Sequence, residues 1–184
     1  MKAEITIGLL AAGGALAIIA ARQRLRAVLS RLGPKWTNLH PDVRTRAELV
    51  LIDANAEFET DGLAVGVHQG WRTIDQQQKE IAEGDSFVSH ALRSFHPWGL
   101  AVDFVFIDKA GRWTWLPDPA NAKNREFVDP RWHRLGAIIE RHGFKWGGRF
   151  RTVFDGPHAE LGLEKTNTLI SRFGGFDQWQ TSWA

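Results

Sequence analysis

An aspartate inside an otherwise apolar strand is the sequence feature that most constrains the fold of this chain. In SFHPWGLAVDFVFI, residues 94–107, Val102, Phe104 and Phe106 alternate in the manner of a strand with one buried face. Asp103 lies among them, and a carboxylate avoids such surroundings unless its charge is compensated. A metal cation would provide that compensation, so this strand is expected to border a polar site.

Composition restricts the kind of site that the chain can build. With 184 residues, 43% of them hydrophobic and 24% charged, the sequence is that of one globular domain with an appendage. Cysteine is absent, which excludes disulfides and thiolate metal sites. Any metal ion must therefore be bound by His, Asp or Glu side chains.

The N-terminal segment ITIGLLAAGGALAIIAA, residues 5–21, contains no charged side chain. As a helix it would span roughly 25 Å, slightly less than the ~30 Å hydrocarbon core of a bilayer. Its length favours a membrane anchor, with a cleaved signal peptide and a buried helix of a soluble protein as the alternatives.

An amphipathic pattern follows this apolar segment. In RQRLRAVLSRLG, Leu25, Val28, Leu29 and Leu32 share one helical face and arginines occupy the others, as in a helix on an anionic membrane surface. These basic residues lack the interleaved aromatic side chains of a nucleic-acid-binding surface, so no nucleic-acid partner is predicted. The positive-inside rule would keep the arginines in the cytoplasm.

The domain boundary is predicted at the Gly33-Pro34 break, between a membrane segment with its basic amphipathic helix (residues 1–33) and a soluble domain (residues 34–184). Periodicity and capping signals within the soluble domain predict helices over residues 41–60, 73–84 and 129–143, and strands over residues 63–69, 99–107, 113–116 and 158–161. Strands and helices do not alternate regularly, so the fold class is α+β, a small antiparallel sheet flanked by helices.

Two histidines are placed to join Asp103 around a metal ion. His96 precedes the strand across a turn, and His158 begins the last predicted strand. Zinc accepts both imidazole nitrogen and carboxylate oxygen, and a catalytic zinc site needs three protein ligands and one open position. Taken singly, each histidine is as consistent with a hydrogen-bonded structural role, and spacing alone leaves both interpretations open.

Two further carboxylates lie next to His158 in the sequence. Asp155 precedes it across a Gly-Pro turn, where a carboxylate beside the metal can take a proton from water. Glu160 shares a strand face with His158 and can orient that ligand from behind. The alternative for Asp155 is an ordinary turn residue, which suits the sequence DGP.

Four motifs give the chain a family resemblance: G-W-R-T-x-x-x-Q (residues 70–77), S-x-H-x-x-G-x-A-x-D (94–103), G-F-x-W-G-G (143–148) and D-x-P-H-x-E (155–160). In this order they resemble the zinc peptidases that cut peptidoglycan stem peptides. That group includes D-alanyl-D-alanine carboxypeptidases, vancomycin-resistance dipeptidases and the L-alanyl-D-glutamate endopeptidases of phage endolysins. The resemblance covers roughly residues 38–165 and implies a Hedgehog/DD-peptidase-like fold.

The resemblance implies a role for each matching residue. The zinc ligands would be His96, Asp103 and His158; Asp155 would be the general base and acid, and Arg72 would stabilise the oxyanion. Implied substrate contacts are Ser94, Trp146 and a glutamine. Gln77 ends the G-W-R-T-x-x-x-Q motif, Gln76 is the competing position, and Gln76 is the residue predicted to contact substrate. The alternatives are a surface salt bridge for Arg72, a turn hydroxyl for Ser94 and a core position for Trp146.

Asp155 also bears on which bond is cut. The dipeptidases and carboxypeptidases of the group usually carry Glu at this position and the phage-type endopeptidases Asp, which favours cleavage between L-alanine and D-glutamate. Ala159 departs from the group, in which an aromatic residue usually follows the histidine. The resemblance thus implies a phage endolysin acting on stem peptides in host cell lysis. Because peptidoglycan lies outside the cytoplasmic membrane, the apolar N-terminal segment then predicts a domain that is anchored to the inner membrane or periplasmic. A D-alanyl-D-alanine carboxypeptidase of wall remodelling and a catalytically inactive wall-binding module are the alternatives.

Overall fold

The computed structural model describes residues 25, 29, 32–116 and 128–183. The predicted apolar membrane segment, residues 5–21, lies outside them. Among the helices that are described, none combines the length and the apolar character needed to cross a membrane. The domain boundary proposed at residue 33 therefore stays a prediction.

Six helices and five strands make up the described fold. The helices are α1 (Pro34–Thr37), α2 (Pro41–Phe58), α3 (Ile74–Glu83), α4 (Pro130–Arg141), α5 (Thr166–Phe173) and α6 (Phe176–Thr181). The strands are β1 (Ala64–Gln69), β2 (Ala101–Ile107), β3 (Trp113–Thr114), β4 (Lys145–Trp146) and β5 (His158–Glu160). Short 3-10 turns at Ala91–Arg93, His96–Trp98 and Gly147–Arg149 connect them.

The strands form one antiparallel sheet with the order β1-β2-β5-β4. The central strand β2 pairs with β1 over residues 103–107, while β5 pairs with its first three residues and β3 with its last two. Its burial pattern agrees with this central position, since Val102, Phe104 and Phe106 are fully buried. The α+β fold with a small antiparallel sheet is confirmed.

Local signals in the sequence place the helices next to the site. Thr73 and Gln76 form a reciprocal capping box at the start of α3, and Gly84 ends that helix in the left-handed conformation. Asp129 caps α4 by accepting from the backbone N–H of Arg131. Both helices begin and end within one or two residues of their predicted bounds.

A buried asparagine attaches helix α2 to the edge of the sheet. Asn55 accepts from the backbone N–H of Val65 at 3.1 Å and donates to the Val65 carbonyl at 2.9 Å. Between these two elements, Phe58 and Phe106 pack edge to face with ring centroids 5.0 Å apart. The aromatic core therefore supports β2 from the side of α2.

The described leucines of the N-terminal amphipathic pattern pack on this core. Leu29 is buried, and Leu25 and Leu32 are partly buried against the same cluster. At these three positions the apolar face contacts the domain, where the sequence predicted contact with a membrane surface. Burial in the protein removes the same apolar area from water that a membrane would.

The C-terminal helices α5 and α6 were not predicted from the sequence. Trp179 on α6 is buried and its Nε1 donates to the backbone carbonyl of Trp98 at 2.9 Å. Trp98 belongs to the turn that carries His96. The helices are therefore part of the structure that supports the candidate site.

Candidate metal centre

Two adjacent strands bring Asp103 and His158 together. The residues are directly paired across the antiparallel β2–β5 ladder, so their side chains project from the same face of the sheet. Asp103 Oδ1 lies 3.0 Å from His158 Nδ1. Their proximity follows from strand register and needs no loop to set it.

The third side chain comes from the turn before β2. His96 opens the 3-10 turn His96–Trp98, and Gly99 ends the turn in the left-handed conformation at φ 67°. A Cβ at Gly99 would lie 2.4 Å from the backbone oxygen of Asn38, so only glycine fits there. This tight turn folds His96 back over the start of the strand.

The three side chains offer one ligand atom each to a common point. His96 Nε2 lies 3.3 Å from His158 Nδ1 and 3.3 Å from Asp103 Oδ1. Ligand atoms bound to tetrahedral zinc at 2.0–2.1 Å are separated by about 3.3 Å from one another. The donor set and its spacing therefore fit zinc.

Hydrogen bonds behind the ligands fix the orientation of both imidazoles. His96 Nδ1 lies 2.7 Å from the carbonyl oxygen of Gly70, and His158 Nε2 lies 3.3 Å from Glu160 Oε2. These acceptors hold one nitrogen of each ring outward, so the other nitrogen of each ring faces the common point and is the one available to a metal. Lys145 Nζ in turn donates to Glu160 at 2.6 Å.

The electrostatics of the three groups favour a cation between them. Burial raises the pKa of Asp103, but His96 and His158 outweigh this effect and hold it well below its ordinary value. Burial lowers the pKa of His158, yet its hydrogen bonds with Asp103 and Glu160 raise it to about 10. Burial keeps the pKa of His96 low. Without a metal, a proton on His158 therefore supplies the positive charge that the site attracts.

The ligands lie in a cleft of about 540 Å³ that is also lined by Arg72, Ser94, Asp155 and Glu160. Arg72 is buried in its wall, with Nη1 2.6 Å from Glu80 Oε2 and Nη2 3.4 Å from Asp103 Oδ2. Two carboxylates thus orient the guanidinium toward the metal site. The alternative role for Arg72, a surface salt bridge, does not apply because the residue is only 7% exposed.

Asp155 also lines the cleft, held beside His158 by a tight turn. The backbone N–H of His158 donates to the Asp155 carbonyl, and that of Asp155 donates to the Gly147 carbonyl, each at 3.3 Å. A Cβ at Gly147 would lie 2.5 Å from the Asp155 oxygen and 2.9 Å from the Cβ of His158. Gly147, the first glycine of the Gly-Gly pair in the sequence motif, is therefore required for this close approach.

Ser94 is a turn hydroxyl at the edge of the cleft, and its contact with substrate stays a prediction. Its Oγ accepts from the backbone N–H of His96 at 3.3 Å, which stabilises the turn, and the side chain also lines the cleft.

The prediction that Gln76 lies in the cleft is wrong. The Gln76 side chain accepts from the backbone N–H of Thr73 in the capping box. Its neighbour Gln77 is buried, lines the cleft and donates to Ser86 Oγ at 2.8 Å. One residue along a helix rotates the side chain by about 100°, so only one of the two positions can face the site.

Trp146 is a core residue, and the prediction that it forms a cleft wall is wrong. It is 1% exposed, its Nε1 donates to the Gly156 carbonyl at 2.8 Å, and it packs edge to face on Phe154. From its position on β4, Trp146 supports the turn that carries Asp155 through this hydrogen bond to Gly156.

Three features of the site could not be found by motif alone. The Gly70 carbonyl behind His96 is a backbone group without a side-chain signal. Glu80 and Lys145 act through Arg72 and Glu160, and neither is one of the fixed positions of the four motifs.

Comparisons with known proteins find similarity to peptidases. A family model described as D-alanyl-D-alanine carboxypeptidase matches residues 88–161. A peptidoglycan L-alanyl-D-glutamate endopeptidase of Bacillus subtilis (strain 168), CwlK, is 28% identical over 134 residues, which are 70% of this chain and 76% of that protein. An L-alanyl-D-glutamate peptidase of Listeria phage A118 is 29% identical over 110 residues, 60% of this chain and 34% of that protein.

A solved structure shares the fold. The Serratia marcescens L-Ala D-Glu endopeptidase ChiX superimposes with a TM-score of 0.52 at 24% sequence identity, over 72% of this chain and 87% of that one. The matched family segment contains His96, Asp103 and His158, and members of this family depend on zinc. Residues 88–161 are therefore similar to D-alanyl-D-alanine carboxypeptidases, and the chain shares the fold of an L-Ala D-Glu endopeptidase.

Proposed function

We propose that this protein hydrolyses the L-alanyl–D-glutamate bond of peptidoglycan stem peptides. The observation that carries the proposal is the convergence of His96, Asp103 and His158 within 3.3 Å of one another in a cleft that also contains Asp155 and Arg72. The choice of bond is supported by the two relatives, which carry this activity in their names.

Zinc bound by the three side chains would supply Lewis acidity, lowering the pKa of water and polarising a carbonyl. The protein supplies the geometry for this. Asp103 is fixed by its strand, and both imidazoles are oriented by acceptors behind them. A pre-organised ligand set binds its metal without rearrangement during the reaction.

Asp155 is assigned the proton transfers. Asp155 lines the same cleft as the ligands, three residues before His158, where its carboxylate would meet the water molecule that attacks the substrate amide. As general base it takes the proton of this water, and as general acid it delivers that proton to the nitrogen of D-glutamate as the amide bond breaks.

Arg72 is assigned the stabilisation of negative charge on the amide oxygen. A guanidinium fixed in a buried wall faces the developing charge without the cost of reorientation. Glu80 and Asp103 provide this fixation, since they bind two different nitrogens of the group. Gln77, buried and turned into the cleft, is the preferred position for the substrate contact of the glutamine motif.

The second candidate is a D-alanyl-D-alanine carboxypeptidase, which the description of the matched family model favours. A digest of purified muropeptides with the zinc-loaded protein, read by mass spectrometry, separates the two. We expect products cut between L-alanine and D-glutamate. Release of terminal D-alanine instead would establish the carboxypeptidase, and binding without cleavage the inactive module.

Action on peptidoglycan requires the domain to function outside the cytoplasmic membrane. The apolar residues 5–21 support membrane anchoring, and the Listeria phage relative supports an endolysin of host cell lysis. Protease treatment of spheroplasts tests the anchored topology. Digestion of the domain is expected, and protection would contradict periplasmic display.

A further inference from the structure

Two exposed tryptophans lie next to the cleft. Trp113 is 57% exposed and Trp115 is 49% exposed, although the described core buries most other indoles of the chain. Trp115 lines the cleft together with the metal ligands, whereas Trp113 is not among the described residues that line it. An exposed indole in a cleft wall offers a flat apolar surface to a ligand.

A histidine holds this indole in place. The imidazole of His68 packs edge to face between both rings, 5.0 Å from the centroid of Trp115 and 4.8 Å from that of Trp113. Burial lowers the pKa of His68, so the ring is neutral and suited to aromatic contact. Trp115 is thereby oriented before any ligand binds, which reduces the entropy lost on binding.

The position of His68 relates this indole to the metal centre. His68 is the bulged residue between Val67 and Gln69 of β1, and Gln69 is paired with Asp103. Paired residues have Cα atoms about 5 Å apart, and the next residue along a strand adds about 3.3 Å. His68, which supports Trp115, therefore directly precedes Gln69, the strand partner of the metal ligand Asp103.

The chemistry of the proposed substrate demands a sugar at this short range. In peptidoglycan the amine of L-alanine is joined through a lactyl group to the muramic acid of the glycan strand. Only one residue, spanning about 3.5 Å, separates the scissile bond from that group. A peptidase that cuts after L-alanine must accommodate the sugar beside its metal centre.

We propose that Trp115, supported by His68, forms a subsite for the muramic acid sugar on the alanine side of the scissile bond. This inference rests on the proposed function. The C–H face of a pyranose ring is apolar and can cover the exposed indole, while its hydroxyl groups stay in water. The subsite would make the glycan-linked peptide a better substrate than the free peptide.

The experiment compares two substrates that differ only in the sugar. One is muramyl-L-alanyl-γ-D-glutamyl-lysine, and the other is the same tripeptide with an acetyl group on alanine. The measured ratio is the kcat/KM of the muramyl peptide divided by that of the acetyl peptide. We expect Trp115→Ala to lower this ratio about tenfold, because the sugar loses its contact with one face of the indole. Trp115→Phe should restore part of the ratio. Trp113→Ala is the matched control, since it removes an indole that contacts the same His68 outside the cleft.

Each outcome decides the proposal. A ratio unchanged in Trp115→Ala, or lowered equally in Trp113→Ala, would overturn the subsite. If the wild-type protein cleaves neither peptide, the proposed function fails, and calorimetric titration with both peptides then decides the subsite. Binding of the muramyl peptide about tenfold tighter, lost in Trp115→Ala, would support it, and equal binding would overturn it.

Discussion

Asp103 and His158 face each other directly across the β2–β5 ladder, with Oδ1 and Nδ1 3.0 Å apart. Two of the three candidate zinc ligands are thus positioned by backbone hydrogen bonding in the centre of the sheet. Only His96 depends on a turn, and that turn is fixed by Gly99 and by the C-terminal helix α6. This arrangement allows a ligand set to be pre-formed before the metal binds.

Glu160 is expected to tune the zinc affinity through His158. Since its carboxylate accepts the proton of Nε2, Glu160→Ala should weaken zinc binding about 10- to 100-fold, and Glu160→Gln, which keeps an acceptor, should weaken it less. Competition with a chromophoric chelator measures the affinity. Glu164→Ala, which breaks an exposed pair with Arg172, is the control and should leave the affinity unchanged. Equal affinities in all four proteins would show that Glu160 does not act on the ligand.

Zinc binding is expected to release a proton at neutral pH. The pKa of His158 in the metal-free protein is raised to about 10, so this ring is protonated at pH 7.5 and must lose its proton to bind a metal. Calorimetry in two buffers with different ionisation enthalpies should find about one proton released per zinc. Binding without proton release would contradict the assigned charge state.

The raised pKa of His158 also makes the stability of the metal-free protein depend on pH. A pKa raised in the folded state stabilises the fold fully below the unfolded value of 6.5, and this stabilisation is lost as pH rises to about 10. Urea denaturation of the zinc-free chain should therefore show a lower free energy of unfolding at pH 10 than at pH 6. A higher free energy of unfolding at pH 10 than at pH 6 would contradict the raised pKa of His158.

Asp155→Asn is expected to separate catalysis from metal binding. The amide keeps the shape of the side chain but cannot accept the proton of water, so kcat should fall about 10²- to 10⁴-fold with the zinc content retained. Turnover of muropeptides and metal analysis of the same sample measure the two quantities. Asp177→Asn, on the C-terminal helix, is the control for an acid outside the cleft. Full activity in Asp155→Asn would remove this residue from the mechanism.

Trp179→Phe tests the attachment of the C-terminal helices to the His96 turn. Loss of the indole N–H leaves the buried Trp98 carbonyl without this donor and should lower the free energy of unfolding by about 1–3 kcal/mol. Trp183→Phe is a matched control, because its buried Nε1 has no hydrogen-bond partner. Chemical denaturation of both variants gives the comparison, and a larger loss in Trp183→Phe would contradict the assigned bond.

The sequence predicted those parts of the site that are encoded within short segments. Asp103 was identified because an acid in an apolar strand requires compensation, and capping signals at Thr73 and Asp129 gave helix limits close to those found. Such features depend on neighbours a few residues apart, which periodicity and local hydrogen bonding reveal.

Contacts between distant segments could not be predicted in this way. Whether Gln76 or Gln77 faces the cleft depends on the rotation of α3 about its axis. Whether Trp146 lies in the core or in the cleft wall depends on how β4 packs on α4. Leu29 likewise has an amphipathic pattern that suits a membrane surface or a protein core equally well. Tertiary packing decides between such alternatives, and a single sequence does not contain that information explicitly.

The most direct test of the account is a crystal structure of the zinc-loaded protein with an anomalous difference map at the zinc edge. One peak is expected, at about 2.0–2.2 Å from His96 Nε2, His158 Nδ1 and Asp103 Oδ1. A peak elsewhere, or none in a protein that still cleaves muropeptides, would contradict it.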